Sequence, residues 1–353
     1  MPTTNLKKKK LLLIGPCPPP YGGVSNHIKR LAALLKNDFD ISFIDESRHR
    51  KTNAFNIRSF KLGAYMRLIK KSDIIHVHSG HYIFRLIHFL SSKILKKKII
   101  YTVHSYAEKR KGLIEKYIDR FIFKNSTKVV FVNEETFKIF LIPDAYLKEA
   151  FLPPLLKDEE CLPIDIMEWI KIKKANGYLV SCANASRLDL YNNEDLYGLD
   201  LCIEAAKLCK ENNIKIAFLF IVSDLSGKLL ISDYKKLIDE YNLEDVFFLH
   251  GGSISFARLI IESDVVLRPT NTEGDALTVR EGLFFEKKVI ASDIVSRPDN
   301  TYLFKSRNII SFVETIEKVH RSLIEKKQNQ NISADFHIDY NKYIDFYKYT
   351  LYT

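Results

Sequence analysis

Two doubly wound α/β domains in tandem are the fold the sequence predicts, and three observations carry that reading. Short β-type apolar runs alternate with amphipathic stretches along the chain. Those stretches are about 10–15 residues long, the length of helices that cross over between parallel strands. The alternation breaks once, at 151–163, where prolines appear without periodicity, and then resumes. The length of 353 residues suits two domains of roughly 150–200 residues each.

The elements follow in order. KKLLLIG is a continuous apolar run and reads as a buried strand. VSNHIKRLAALLKN places Ile28, Leu31, Leu34 and Leu35 on one helical face. FDISFID is the second strand and FKLGAYMRLIKKS the next helix, followed by the strand DIIHVHS. A helix near 82–96, the strand KKKIIYTVHS, a helix near 110–123 and the strand TKVVFVN complete the first series. The second series runs GYLVSCA, LDLCIEAAKLCKEN, IKIAFLFIVS, SDYKKLIDEYN, DVFFLHG, SFARLIIES, DVVLRPT, ALTVREGLFFE and KKVIASD, strand and helix in turn. The expected domains are 1–155 and 172–330. An aromatic terminal helix, 331–353, is expected to pack back on the first.

Composition excludes several classes. Hydrophobic residues are 46% and charged residues 27% of the chain, values of an ordinary globular protein rather than a disordered or collagen-like one. No apolar run approaches the roughly 18–20 residues that cross a bilayer. The four lysines of the first ten residues precede only Leu11 to Ile14, too short a run for a signal peptide. Five cysteines without a CxxC pair suggest reduced thiols and a cytoplasmic location. Charge is asymmetric: residues 1–160 hold 30 Lys and Arg against 15 Asp and Glu, the rest 24 against 28. A polyanionic neighbour of the first domain is implied, and an anionic membrane surface suits it. Nucleic acid is not expected, because no helix-turn-helix, zinc-finger or RRM pattern accompanies the basic residues.

Ligands of open α/β sheets bind outside the carboxyl ends of the strands, so the residues after each strand are the candidates. Gly22 and Gly23 stand where the first helix begins; glycines there admit a ligand close to the backbone, and helix N-termini attract anions. His76, His78 and His104 sit at strand ends. His104 is the preferred catalytic candidate, because it ends its strand where the side chain can face a ligand. HxH spacing invites a zinc reading, but no adjacent Cys or His completes a tetrahedral set in the sequence, so no metal is expected. Arg187 follows a second-domain strand, where its planar fork suits a diphosphate. The segment DVVLRPTNTEGDALTVREGLFFEKK is the most informative. Glu273 lies in a loop after a strand, where it can accept hydrogen bonds from sugar hydroxyls. Gly274, Asp275, Ala276 and Leu277 lead into a helix start, and Glu281 stands on that helix where it can take both hydroxyls of a ribose.

PPPYGGVSNHI, TVHS, ASRLDLYNNEDLYGLD and the E-x7-E block EGDALTVRE together resemble glycosyltransferase family 4, retaining enzymes of the GT-B fold. The likeness runs in order from residue 10 to the terminal helix. It implies two facing Rossmann-like domains, a UDP- or GDP-linked sugar as co-substrate, and no cofactor or metal. The acceptor would be a glycolipid or oligosaccharide in cell-surface polysaccharide assembly. Glu273 would contact the transferred sugar and Glu281 the ribose. Arg187 would meet the diphosphate, and His104 the reacting sugar. One departure stands out. The family's Lys-Gly pair after the arginine reads Tyr197-Gly198 here, and no lysine occurs between Ala183 and Asp200. Arg268, at the end of DVVLRPT, is expected to supply the missing charge. A nucleotide-sugar epimerase on the same fold, and a non-catalytic assembly partner, are the competing readings. Asp38-Phe39-Asp40 mimics the DxD of metal-dependent transferases but is expected to be a turn.

Overall fold

The computed structural model describes residues 8–17, 23–48, 54–104, 112–154, 156, 161–227, 229–273, 276–329 and 340–353. The chain divides into two compact units, Met1–Leu155 with Ile338–Thr353, and Leu156–His337.

The first unit contains β1 (Lys9–Gly15), α1 (Gly23–Leu35), β2 (Phe39–Asp45), β3 (Phe55–Asn56), α2 (Leu62–Lys71), β4 (Ile74–Val77) and α3 (Tyr82–Ile94). β5 (Lys98–Val103), α4 (Leu113–Lys124), β6 (Lys128–Phe131), α5 (Glu134–Phe140) and β7 (Tyr146–Leu147) follow. The seven strands form one sheet in the order β3-β2-β1-β4-β5-β6-β7, each pair parallel. β1 lies inside it, which is why LLLI carries no polar side: Leu11, Leu12, Leu13 and Ile14 are all fully buried. Alternation deals them to the two faces. Leu12 and Ile14 pack with Val77 and Tyr101, and Leu11 and Leu13 with Ile28, Leu31 and Leu35 of α1. Each such side chain contributes roughly 1.5–3 kcal/mol by leaving water. At the end of β2 the carboxylate of Asp45 accepts from the amides of Cys17 (3.0 Å) and Ser47 (2.9 Å), the Ser47 hydroxyl (2.7 Å) and the Asn56 amide (3.0 Å). Burial raises its pKa, but these donors outweigh it and hold the carboxyl below its usual value. Asp38 lies in the turn before β2 and pairs with Lys348 at 2.8 Å.

The second unit opens with α6 (Ile164–Ala175), a helix that the sequence reading does not anticipate. Its apolar residues are spread round the axis. Only Ile166 and Ile170 are buried, while Ile164 and Ile172 are exposed, so no stripe marks it. Next come β8 (Leu179–Arg187), the short antiparallel pair β9 (Leu190–Tyr191) and β10 (Glu194–Asp195), α7 (Leu199–Glu211), β11 (Ile216–Asp224) and α8 (Ile231–Glu240). β12 (Phe247–Gly251), α9 (Phe256–Glu262), β13 (Val265–Arg268), α10 (Leu277–Phe284), β14 (Lys288–Ser292), β15 (Thr301–Phe304) and α11 (Ile309–Asn329) complete it. The sheet order is β12-β11-β8-β13-β14-β15, again all parallel.

The terminal segment returns to the first unit as α12 (Asn341–Asp345) and a π-helical turn, Phe346–Leu351. Ile344, Tyr347, Leu351 and Tyr352 join the core of α1 and β1. The Tyr352 hydroxyl bonds Nδ1 of His76 at 2.6 Å, and Thr102 takes Nε2 at 2.7 Å. Tyr352→Phe strands one buried imidazole nitrogen and should lower the unfolding free energy by about 1–3 kcal/mol. Denaturant unfolding measures this, and an unchanged midpoint would mean the bond carries no stability.

Candidate functional site

In the second unit β8, β13 and β14 are neighbours, and their carboxyl ends gather one polar cluster. Arg268 closes β13. It donates from Nε (2.9 Å) and Nη2 (2.8 Å) to Oε2 of Glu273. Arg297 pairs with Oε1 at 2.6 Å, and the Thr270 hydroxyl donates to the same oxygen at 2.9 Å. A carboxylate has about four acceptor positions, and these four donor groups fill them. Burial pushes the Glu273 carboxyl up, but the Arg268 and Arg297 guanidiniums outweigh it and hold it below the usual range. The group is therefore a fixed anion, unsuited to protonating a leaving group at neutral pH.

The cluster extends to the start of α10. Nη1 of Arg268 donates to the Asn184 carbonyl (3.2 Å), and the Asn184 side-chain oxygen accepts from Thr278 (3.0 Å) in the first turn of α10. Ala276 is the N-cap and provides no side-chain bond, and Leu277 opens the helix. Tyr197 lies beneath the Arg268 guanidinium, 5.2 Å from ring centre to Cζ. Its loop is fixed locally. Asp195 accepts from the Tyr197 (2.9 Å) and Gly198 (3.1 Å) amides and the Tyr234 hydroxyl (2.7 Å). Gly198 has φ +71°, and a Cβ there would meet the Pro269 carbonyl oxygen at 2.3 Å. Only glycine fits.

Placement of the candidate residues is mixed. Glu273 and Arg268 meet. Arg187, the last residue of β8, is exposed and pairs with Asp189 at 3.0 Å; it is not among the cations gathered on Glu273. Glu281 is buried on α10, at 5% exposure. Gly274 and Asp275 lie outside the described residues, as does Gly22. Gly23 is the first residue of α1, and a Cβ there would meet nothing within 4 Å, so no packing inside the protein requires glycine at that position. Arg297 was not a candidate from sequence. Its place just after the strand KKVIASD was the one available signal.

In the first unit His104 follows β5 and is half-buried. Its Nε2 is 3.0 Å from Nδ1 of His78, which follows β4. His27, on α1, completes a trio with them: one nitrogen of each ring lies within 4.8 Å of the others. The spacing of HxH does not reveal this, because His76 is engaged by Tyr352 and Thr102 while His27 is far away in sequence. Burial keeps all three rings neutral, lowering the His27 pKa to about 4 and those of His78 and His104 well below the ordinary value. Gly15, at the end of β1, lets the rings approach. It has φ +156°, and a Cβ there would lie 2.8 Å from Ile28 Cδ1 and 3.1 Å from His78 Cβ.

No family model matches the chain, and no curated protein matches its sequence. Solved structures do match in fold. A glycosyltransferase from Rickettsia africae ESF-5 aligns with a TM-score of 0.64 at 18% identity, over 90% of this chain and 89% of that one. HepE (Alr3699) of Anabaena, in complex with UDP, gives 0.59 at 13% identity, over 90% and 91%. WaaG, a glycosyltransferase involved in lipopolysaccharide biosynthesis, gives 0.53 at 12%, over 95% and 99%. At these identities the likeness is one of fold, and the chain has the α/β GT-B fold of these glycosyltransferases.

Proposed function

We propose that this protein is a retaining glycosyltransferase. It moves a hexose-type sugar from a UDP- or GDP-linked donor to a glycolipid or oligosaccharide acceptor in cell-surface glycan synthesis. The observation that carries the reading is the Arg268–Glu273–Arg297 cluster beside the start of α10, where the N-cap residue Ala276 makes no side-chain bond. It joins two cations, one fixed carboxylate and a helix start at the carboxyl edge of a parallel sheet, where such folds bind ligands. The GT-B relatives support it: HepE binds UDP and UDP-glucose.

The filled carboxylate suggests how binding proceeds. A donor diphosphate draws Arg268 or Arg297 from Glu273, because phosphate oxygens compete for the same donors. That exchange frees an oxygen of Glu273 for a sugar hydroxyl. Arg268 thereby supplies the charge that Tyr197 lacks, while the tyrosine ring supports the guanidinium. Arg187, exposed and paired with Asp189, is assigned to the diphosphate, and Glu281 to the ribose. These cations and the α10 amides neutralise the leaving group without a metal at the diphosphate. The freed Glu273 oxygen is assigned to a sugar hydroxyl, and no carboxylate is assigned as a covalent nucleophile. The bond from the anomeric carbon to the phosphate oxygen breaks as the acceptor oxygen bonds on the same face. The acceptor proton passes to the departing phosphate.

The first unit supports a membrane-bound acceptor. Ile83, Ile87, Leu90 and Ile94 form an exposed apolar stripe on α3, and Leu113, Ile114, Tyr117 and Phe121 another on α4. The two helices pack together through Phe89 and Phe121. Lys93, Lys96, Lys98, Arg120 and Lys124 are exposed around them. Apolar faces edged with cations bind anionic bilayers from one side, here the inner face of the cell membrane. No helix among the described residues is long and apolar enough to cross it.

A panel of UDP-, GDP- and ADP-sugars tests the donor reading. The correct donor at about 100 times its dissociation constant should add roughly 2.7 kcal/mol of stability, and no stabilisation by any of them overturns it. With that donor, Glu273→Gln should lower kcat/KM by about 100-fold or more. Epimerised sugar nucleotide without transfer would assign the fold to an epimerase, and an inverted product would refute retention. The low Glu273 pKa fixes a sign. Its contribution to stability is complete above the ordinary value of 4.5 and is lost as pH falls through the folded value. Wild type should exceed Glu273→Gln in stability at neutral pH, with the gap closing on acidification; a gap independent of pH would contradict the assignment. Finally, Lys93→Gln with Lys96→Gln should weaken binding to phosphatidylglycerol vesicles by about tenfold or more, at roughly 1 kcal/mol per lysine. Equal binding by the variant, or none by wild type, removes the membrane reading.

A further inference from the structure

We propose that His27, His78 and His104 form a transition-metal site in the first unit, selective for Zn²⁺ and similar borderline divalent ions. The inference does not rest on the transferase reading.

Three features point there. First, the ring centres form a nearly equilateral triangle: His27 to His78 5.2 Å, His27 to His104 4.9 Å, His78 to His104 5.3 Å. A tetrahedral Zn²⁺ about 2.1 Å from three imidazole nitrogens places ring centres about 5 Å apart. The rings therefore stand at the right separation, and binding needs them to turn rather than travel. Second, Nε2 of His27 and Nε2 of His78 are buried without a hydrogen-bond partner among the described residues. Buried polar atoms are rarely left so. Third, His27 has the support that a ligand needs. Its Nδ1 donates to the Ala150 carbonyl at 2.7 Å, which fixes the tautomer and leaves the Nε2 lone pair facing inward. His76 serves as the contrast. Both its nitrogens are occupied, by Tyr352 and Thr102, so it is no ligand.

The donor set is three neutral imidazoles with no carboxylate or thiolate. Such a set suits Zn²⁺, Co²⁺, Ni²⁺ or Cu²⁺ rather than Mg²⁺ or Ca²⁺, which prefer oxygen. Three protein ligands leave a fourth position for water or an anion. An ion there also engages the His104 nitrogen, so it would withdraw that side chain from any contact with a sugar.

The test uses the full chain without a histidine tag, stripped by chelator and titrated with Co²⁺. One equivalent should produce the visible d–d band of tetrahedral cobalt, displaced by one equivalent of Zn²⁺. His104→Ala, at a half-buried position, should weaken Co²⁺ binding by about tenfold or more. His27→Gln should do the same, with its fold checked by circular dichroism. His250→Ala, on β12 of the other unit, should leave binding unchanged. Zn²⁺ should raise the unfolding temperature of wild type but not of His104→Ala. Absence of the band, its survival in His104→Ala, or its equal loss in His250→Ala would overturn the site. If His27→Gln fails to fold, the His104→Ala comparison decides alone. Since no sugar nucleotide is present, failure here leaves the donor reading untouched.

Discussion

Every strand pair in the two large sheets is parallel, and that single constraint organises both units. Parallel strands joined by helices all end at the same edge. Side chains that close neighbouring strands therefore meet, however far apart they are in sequence. In the second unit the ends of β8, β13 and β14 deliver Asn184, Arg268 and the Ser292–Arg297 turn to one place. In the first, the ends of β1, β4 and β5 deliver Gly15, His78 and His104. The polar chemistry of the chain lies at these edges because apolar side chains occupy the strands themselves.

Charge within the second-unit cluster is balanced against burial. A carboxylate taken from water without partners would neutralise itself. Glu273 remains an anion because Arg268 and Arg297 approach from two sides. The same arginines keep each other's charge tolerable through that carboxylate. The arrangement is thus a buried ion cluster in which one carboxylate offsets two cations, and removing any one member would leave the others uncompensated. Tyr197 adds a flat face and a hydroxyl bonded to Ser186 at 2.7 Å, not a charge. It steadies Arg268 instead of duplicating it.

The first unit is held by its ends. Tyr352 reaches His76, Lys98 donates to the Thr353 carbonyl at 2.9 Å, and Tyr340 to that of Pro154 at 3.3 Å. The terminal aromatics cover Leu11, Leu13 and the inner face of α1, a face that the strand helices leave uncovered. A second apolar face, on α3 and α4, is left exposed among lysines. One face is finished by the chain itself, and the other is offered outward.

The sequence alone determined the strand-helix alternation, the break between two series and the apolar terminal segment, because periodicity is a local property that burial imprints residue by residue. It also placed Arg268 at a strand end and Glu273 in the loop after it, since strand ends can be read from where apolar runs stop. It missed α6, whose buried pair Ile166 and Ile170 is masked by exposed isoleucines. It could not decide which strand ends are neighbours. Strand order puts β8 and β14 on either side of β13, and only the packing of the loops beyond them brings Arg297 and not Arg187 to Glu273; the fold alone brings His27 to His78 and His104. Those contacts join residues dozens of positions apart, or on different elements. Nothing in a local pattern encodes them, because they follow from how the sheets are ordered and from the packing of helices against them.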